Sequence, residues 1–273
     1  MSTYRAMHKM MREPVYMKTI FKKIRGSSCG VLIGVVLMCV ALLAASTAAG
    51  CGSKEDSGGR LKVAVDIVPL ADFCNVIGGD LVEVETLVPP GSSPHAYELT
   101  SGQMKFLTEA DILVTNGLEL TPWAEGVFDK VDNPRLVTVV AGEAVPEGEL
   151  IPAGADGAED TYEDHEHGSY DPHIWLDPNL AVYIVEAIGD AFAEVDAENA
   201  AVYHANTERY VHDLESLDSE IADQVATYGS RGFLSFHSTW TYFARRYGLD
   251  QVGVIEELPG KEPSAGEIAD LVE

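Results

Sequence analysis

The chain has 273 residues, with 44 Asp or Glu against 18 Lys or Arg and a formal net charge of −26 at pH 7. That surplus disfavours nucleic acid and anionic headgroups as ligands, because phosphates would be repelled, whereas cations are concentrated near such a surface. Only Cys74 lies beyond residue 51, so the body of the protein has no intrachain disulfide framework, and Cys74 reads as a small buried apolar residue.

The amino end reads as a targeting segment. Lys18, Lys22, Lys23 and Arg25 form a basic region, Val31 to Ala45 is an apolar run, and small residues follow up to Ala48-Ala49-Gly50-Cys51. That order is the layout of a secretory signal. A cysteine directly after small residues looks like a bacterial lipobox, with Cys51 as the lipid-bearing first residue, although Ala48 stands where Leu is usual. The competing reading is an uncleaved anchor, since Cys29 to Ala49 is long enough to span a bilayer. Both place the remainder outside the cytoplasm and tethered to a membrane. Translation from Met17 would give a basic region of more ordinary length. Residues 52–60 form a flexible Gly- and Ser-rich tether. Beyond residue 51 there are 11 basic and 43 acidic residues, a net charge of −32; taken alone this is a solvated, solubilising surface.

From Leu61 the pattern alternates strand and helix. Leu61 to Asp66 is a strand, Pro69 to Ile77 a helix stopped by Gly78-Gly79, and Val82 to Val88 a second strand. Pro89, Pro90, Gly91 and Pro94 then break the chain around His95. Thr100 and Gln103 form a capping box for a helix to Ala110. Strands at Asp111 to Thr115 and Leu136 to Val140 flank a helix around Trp123. This alternation predicts a parallel sheet with ligands outside the carboxyl ends of its strands, where His95 should lie. Residues 141–170 are an acidic, Gly- and Ala-rich break, expected to be a mobile loop, in which His165 and His167 either capture metal weakly or are incidental. Asp177-Pro178 opens a helix to about Val195, and Asp196 is expected to cap a longer one from Ala197 to about Tyr228. Leu214, Leu217, Ile221 and Val225 recur on it at helical spacing. His204 and His212, eight apart, read as surface or packing residues. A new pattern starts at Gly232, with strands at Phe233 to Phe236 and Gln251 to Ile255 around a helix from Thr239 to Tyr247. Ser264 and Glu267 would cap a further helix that is cut at Glu273, and so few elements bury little core, which predicts that the second lobe is incomplete in this chain.

Three histidines carry the chemical signal: His95 in Pro90-Gly-Ser-Ser-Pro-His-Ala-Tyr-Glu98, His173 in Asp171-Pro-His-Ile-Trp-Leu-Asp-Pro178, and His237 in Phe233-Leu-Ser-Phe-His-Ser-Thr-Trp240. Each is expected at a strand end. Neutral imidazole is the commonest protein ligand for zinc-class metals. Singly, His95 reads as a loop residue, His173 as packing beside Trp175, and His237 as a strand-end core residue; together they suggest one metal site. Asp171 and Asp177 are placed to orient His173 from behind. Trp175, Trp240 and Tyr242 read as core or site-wall aromatics.

With these motifs in order behind a lipobox, together with Asn116-Gly-Leu-Glu119, Tyr242-Phe-Ala-Arg-Arg-Tyr-Gly-Leu249 and Glu262-Pro-Ser264, the chain from Leu61 to Glu273 resembles the metal-binding lipoproteins of zinc and manganese ABC importers. The resemblance implies an α/β fold of two lobes with parallel sheets, spanning residues 61–195 and 229–273, joined by a long rigid linker helix at 196–228. It implies metal held between the lobes by His95, His173 and His237, and Zn²⁺ as cargo with Mn²⁺ as the alternative, since manganese members carry a carboxylate where this chain has His237. It further implies a permease as partner, a lipid-anchored monomer and no nucleic acid. The family's fourth ligand, a late Asp or Glu, has no counterpart before residue 273. Two alternatives remain: a surface adhesin, and a secreted zinc-dependent hydrolase, which the absence of a His-Glu-x-x-His motif disfavours.

Overall fold

The computed structural model describes residues 59–128, 130–153 and 169–255. Cys51, His165, His167, Glu262 and the Ser264/Glu267 pair lie outside the described residues.

Four parallel strands, β1 (Leu61–Val65), β2 (Val82–Thr86), β3 (Ile112–Thr115) and β4 (Val137–Val140), form a sheet in the order β2-β1-β3-β4. Side chains alternate across the sheet. Leu61, Val63 and Val65 of β1, with Ile112 and Val114 of β3, enter the larger core, which contains helices α1 (Val68–Gly78), α5 (Pro178–Val195) and part of α6 (Ala200–Ala226). Ala64 and Leu113 point the other way, against Leu107 of helix α2 (Ser101–Glu109) and Phe128 of α3 (Pro122–Phe128). Both faces of the sheet are therefore covered, as parallel strands require.

Helix starts follow sequence chemistry. The Thr100–Gln103 capping box is formed in full at the start of α2. The Asp177 side chain accepts from the Asn179 amide at 2.9 Å and Pro178 opens α5. Asp196 differs from expectation. It closes α5, and its Oδ2 accepts from Asn199 Nδ2 at 2.7 Å and from Tyr203 Oη at 2.8 Å. With that carboxylate engaged, α6 begins at Ala200. The segment 141–170 also departs from a uniform loop. Ala141–Ala144 is a helical turn, α4, and Ala141, Val145 and Ile151 are buried because they are apolar and reach the main core. Pro152 forms an antiparallel bridge with Tyr170.

α6 spans about 40 Å. It lies against the first lobe: Asn206 Nδ2 donates to the Ile77 carbonyl at 2.7 Å, and Phe73 meets Tyr210 edge-on at 5.8 Å. α5 and α6 approach so closely at Gly189 that a β-carbon there would overlap Thr207 Oγ1. Of the apolar set on α6, Leu214 and Val225 are buried, whereas Leu217 is 44% exposed. His204 and His212 are exposed. Cys74 is fully buried and unbridged, and burial pushes its thiol upward.

Beyond α6, β5 (Gly232–Ser235) and β6 (Asp250–Val254) pair in parallel around α7 (Thr241–Tyr247). Gly248, left-handed at φ 62°, ends α7. The described residues are thus α/β, with one parallel sheet before and one after a long helix in the chain. No helix among the described residues is long and apolar enough to cross a membrane.

Candidate metal centre

The first sheet presents its carboxyl edge as a row: Asp66 after β1, the His95 turn after β2, Asn116 after β3 and Ala141 after β4. Asp66 is fully buried. Its Oδ2 accepts from Thr115 Oγ1 at 2.9 Å, the Asn116 amide at 2.8 Å and Thr121 Oγ1 at 3.5 Å. Burial outweighs these bonds and pushes its carboxyl up to about 6.

His95 sits on a short 3₁₀ turn, Pro94–Ala96, and is exposed. Trp123 Nε1 donates to the Pro94 carbonyl at 2.6 Å, and Tyr97 packs edge-on against Trp123 at 6.1 Å, so α3 anchors the turn from the side.

His173 does not follow a strand. It is the residue that opens the 3₁₀ turn Ile174–Leu176, just before α5, and is only 8% exposed. Its loop is held to the sheet by Asn116, whose Nδ2 donates to the Pro172 carbonyl at 3.0 Å. Asp171 Oδ1 accepts from the His173 amide at 2.9 Å and lies 2.7 Å from Nδ1. A carboxylate at Nδ1 places the proton of the neutral ring there and leaves Nε2 with its lone pair, which is how a ligating imidazole is prepared. The Asp177 carboxylate caps α5, as expected, and also lies 3.4 Å from Arg246 Nε. Burial raises the Asp177 carboxyl above its usual range.

His237 follows β5 and is half-buried. Its ring meets that of His173 edge-on, with centroids 5.9 Å apart, and Trp175 covers another side of His173 at 5.3 Å. The second lobe is braced here by α7. Tyr242 Oη donates to the Asp171 carbonyl at 2.8 Å and accepts from the Ile151 amide at 3.1 Å. Arg246 makes paired hydrogen bonds of 2.6 and 2.7 Å to Asp218 on α6, which hold the Asp218 carboxyl below its usual range. Trp240 is 37% exposed, whereas Tyr242 is fully buried.

His173, which precedes α6 in the chain, and His237, which follows it, are therefore brought together. Among the described residues, no group of three His, Cys, Asp or Glu side chains stands close enough to hold a metal. Asp66 and Arg246 were not singled out from the sequence. Asp66 had one legible signal, a charge ending the apolar run Leu61-Lys-Val-Ala-Val.

The model of the family described as zinc-uptake complex component A, periplasmic (ZnuA), matches residues 63–273. The chain belongs to the ZnuA family. It is 30% identical over 241 residues to the zinc-binding lipoprotein AdcA of Streptococcus pneumoniae, covering 86% of this chain and 47% of AdcA. It is 33% identical over 244 residues to the manganese-binding lipoprotein MntA of Halalkalibacterium halodurans, covering 87% of this chain and 75% of MntA. A crystal structure of ZnuA superposes with a TM-score of 0.65 at 33% identity, covering 78% of this chain and 77% of that one. The chain spans about half the length of AdcA. The names of these relatives describe metal binding and not catalysis, so a hydrolase finds no support among them, and neither does adhesion.

Proposed function

We propose that this protein captures Zn²⁺ outside the cytoplasm and hands it to the permease of an ABC importer, anchored to the membrane through a lipid on Cys51. The observation that carries the reading is the His173–His237 pair: two imidazoles from two lobes, 5.9 Å apart, one of them with its Nδ1 set 2.7 Å from a carboxylate oxygen. His95 is the third ligand, presented from the exposed turn after β2. A site built from imidazole suits zinc better than manganese, which prefers oxygen donors. Because each ligating nitrogen must be unprotonated, affinity falls in mild acid.

Manganese is the second reading. The 33% identity to MntA over most of both chains favours it, and His237 opposes it on ligand softness.

The test is calorimetric titration of the chain with zinc and with manganese, alongside His95→Ala, His173→Ala and His237→Ala. One-to-one zinc binding, lost or severely weakened in each variant, is expected. Zinc binding indifferent to all three substitutions would sink the reading, and tighter binding of manganese would transfer it to the second.

A further inference from the structure

The Asn116-Gly117-Leu118-Glu119 segment stands out because the site described above does not use it as a ligand, yet its backbone is costly. Gly117, Leu118 and Glu119 all have positive φ, at 69°, 51° and 57°. Glycine adopts that region freely, but leucine and glutamate do so only when their surroundings compel them. The compelling groups are the buried polar atoms on either side. Asp66 Oδ2 accepts from Thr115 Oγ1, the Asn116 amide and Thr121 Oγ1, so one carboxylate oxygen gathers both ends of the run. The Asn116 carbonyl accepts from the Gly142 amide at 2.9 Å. What remains of Asn116 is its side-chain amide, whose Nδ2 donates to the Gly117 carbonyl at 3.1 Å and the Pro172 carbonyl at 3.0 Å. Pro172 directly precedes His173. Asp66 and Asn116 are each fully buried, so neither bond can be exchanged with solvent without opening the loop.

The geometry points to Asp66 as a positioning residue for His173, acting through Asn116. Asp171 sets the tilt of the imidazole from its own loop, and Asn116 sets where that loop stands above the sheet. Asp66 fixes Asn116, and the strained run holds the side-chain amide at the height of the Pro172 carbonyl. This role rests on the reading of His173 as a ligand for the captured metal.

The experiment measures zinc affinity by competition with a chromogenic chelator, using the full chain purified in detergent. Asn116→Ala and Asp66→Ala are each expected to weaken zinc binding by about tenfold or more, the range seen when a partner behind a metal ligand is removed. The double variant should be no weaker than the weaker single one, because both act through the same carbonyl. Asp66→Asn keeps an oxygen acceptor in place and should recover most of the affinity. Ile184→Val, which trims the buried face of α5, should lower the melting temperature without moving zinc affinity, separating positioning from mere destabilisation. Zinc binding of wild-type strength in Asn116→Ala, losses that add in the double variant, or failure of Asp66→Asn to recover would each overturn the proposal. His173→Ala, run in parallel, separates the two readings. If it loses zinc while Asn116→Ala does not, only the positioning role fails. If it binds as the wild type does, the site reading fails and the positioning role falls with it. Should Asp66→Ala not fold, Asn116→Ala and Asp66→Asn decide the matter.

Discussion

Tyr242→Phe tests whether the second lobe braces the metal site. The ring of Tyr242 is fully buried, and its hydroxyl is the common partner of two backbone groups, the Asp171 carbonyl at 2.8 Å and the Ile151 amide at 3.1 Å. Burial pushes the phenol up to about 12, so it remains a donor at any working pH. Phenylalanine preserves the packing and removes only the hydroxyl, leaving both backbone groups without it. An unsatisfied buried group costs about 1–3 kcal/mol, and Asp171 is only partly buried and can recruit water, so the total is about 2–4 kcal/mol. For a domain of this size each kcal/mol moves the melting temperature by about 2–4 °C, giving a fall of about 5–15 °C. The same change frees the main chain of Asp171, whose carboxylate stands at His173 Nδ1, so zinc affinity should also fall. Thermal melts followed by circular dichroism at pH 7.5, with zinc titrations on the same samples, provide the readout. A variant that melts within about 1 °C of the wild type and binds zinc equally well would refute the idea that α7 holds the His173 loop.

Asp66 supplies a pH signature. Its carboxyl is raised from 3.8 to about 6 in the folded protein. The folded state therefore holds that proton more tightly than the unfolded chain, and the stability it confers is full below the unfolded value and lost as pH rises through about 6. The shift corresponds to about 3 kcal/mol. In urea melts, Asp66→Asn should gain on the wild type by up to that amount between pH 4 and pH 7.5, and a constant difference across that range would refute the assignment. Gly189→Ala should destabilise by about 1–3 kcal/mol through overlap with Thr207, and Thr207→Ala in the same chain should recover much of the loss; additive losses in denaturant melts would argue against the close approach. His237→Asp should lower the ratio of zinc to manganese affinity, because a carboxylate is the harder donor, and an unchanged ratio in paired titrations would remove His237 from the site.

Much of the first lobe was legible in the residues themselves. β1, α1, α2, β3 and β4 fall within a few residues of where apolar alternation, capping residues and glycines place them, because each is governed by interactions within a few positions along the chain. The same local chemistry placed Asp177-Pro178 at the start of α5. It misplaced Asp196, whose carboxylate is taken by Tyr203 seven residues on, and it read Ala141 to Ile151 as open loop, because the small and acidic residues there hide three that reach the core. At the site, the order of motifs singled out His95, His173, His237, Asp171 and Asp177; the structure brings His173 against His237 and Asp171, and sets the Asp177 carboxylate in the α5 cap and 3.4 Å from Arg246.

What the sequence determined by itself is the kind of protein: an acidic α/β chain with imidazoles at loop positions, read from composition, periodicity and motif, all of which are properties of neighbouring residues. What only the tertiary structure decided is which groups meet. His173 and His237 are 64 positions apart, Asn116 and Pro172 are 56 apart, and Tyr242 reaches back 91 positions to Ile151. Contacts at such separations exist because a packed core leaves one arrangement in which the buried polar atoms at the sheet edge find partners. No local pattern encodes that arrangement, which is why Asp66, a single charge at the end of an apolar strand, took on its meaning only once the chain was folded around it.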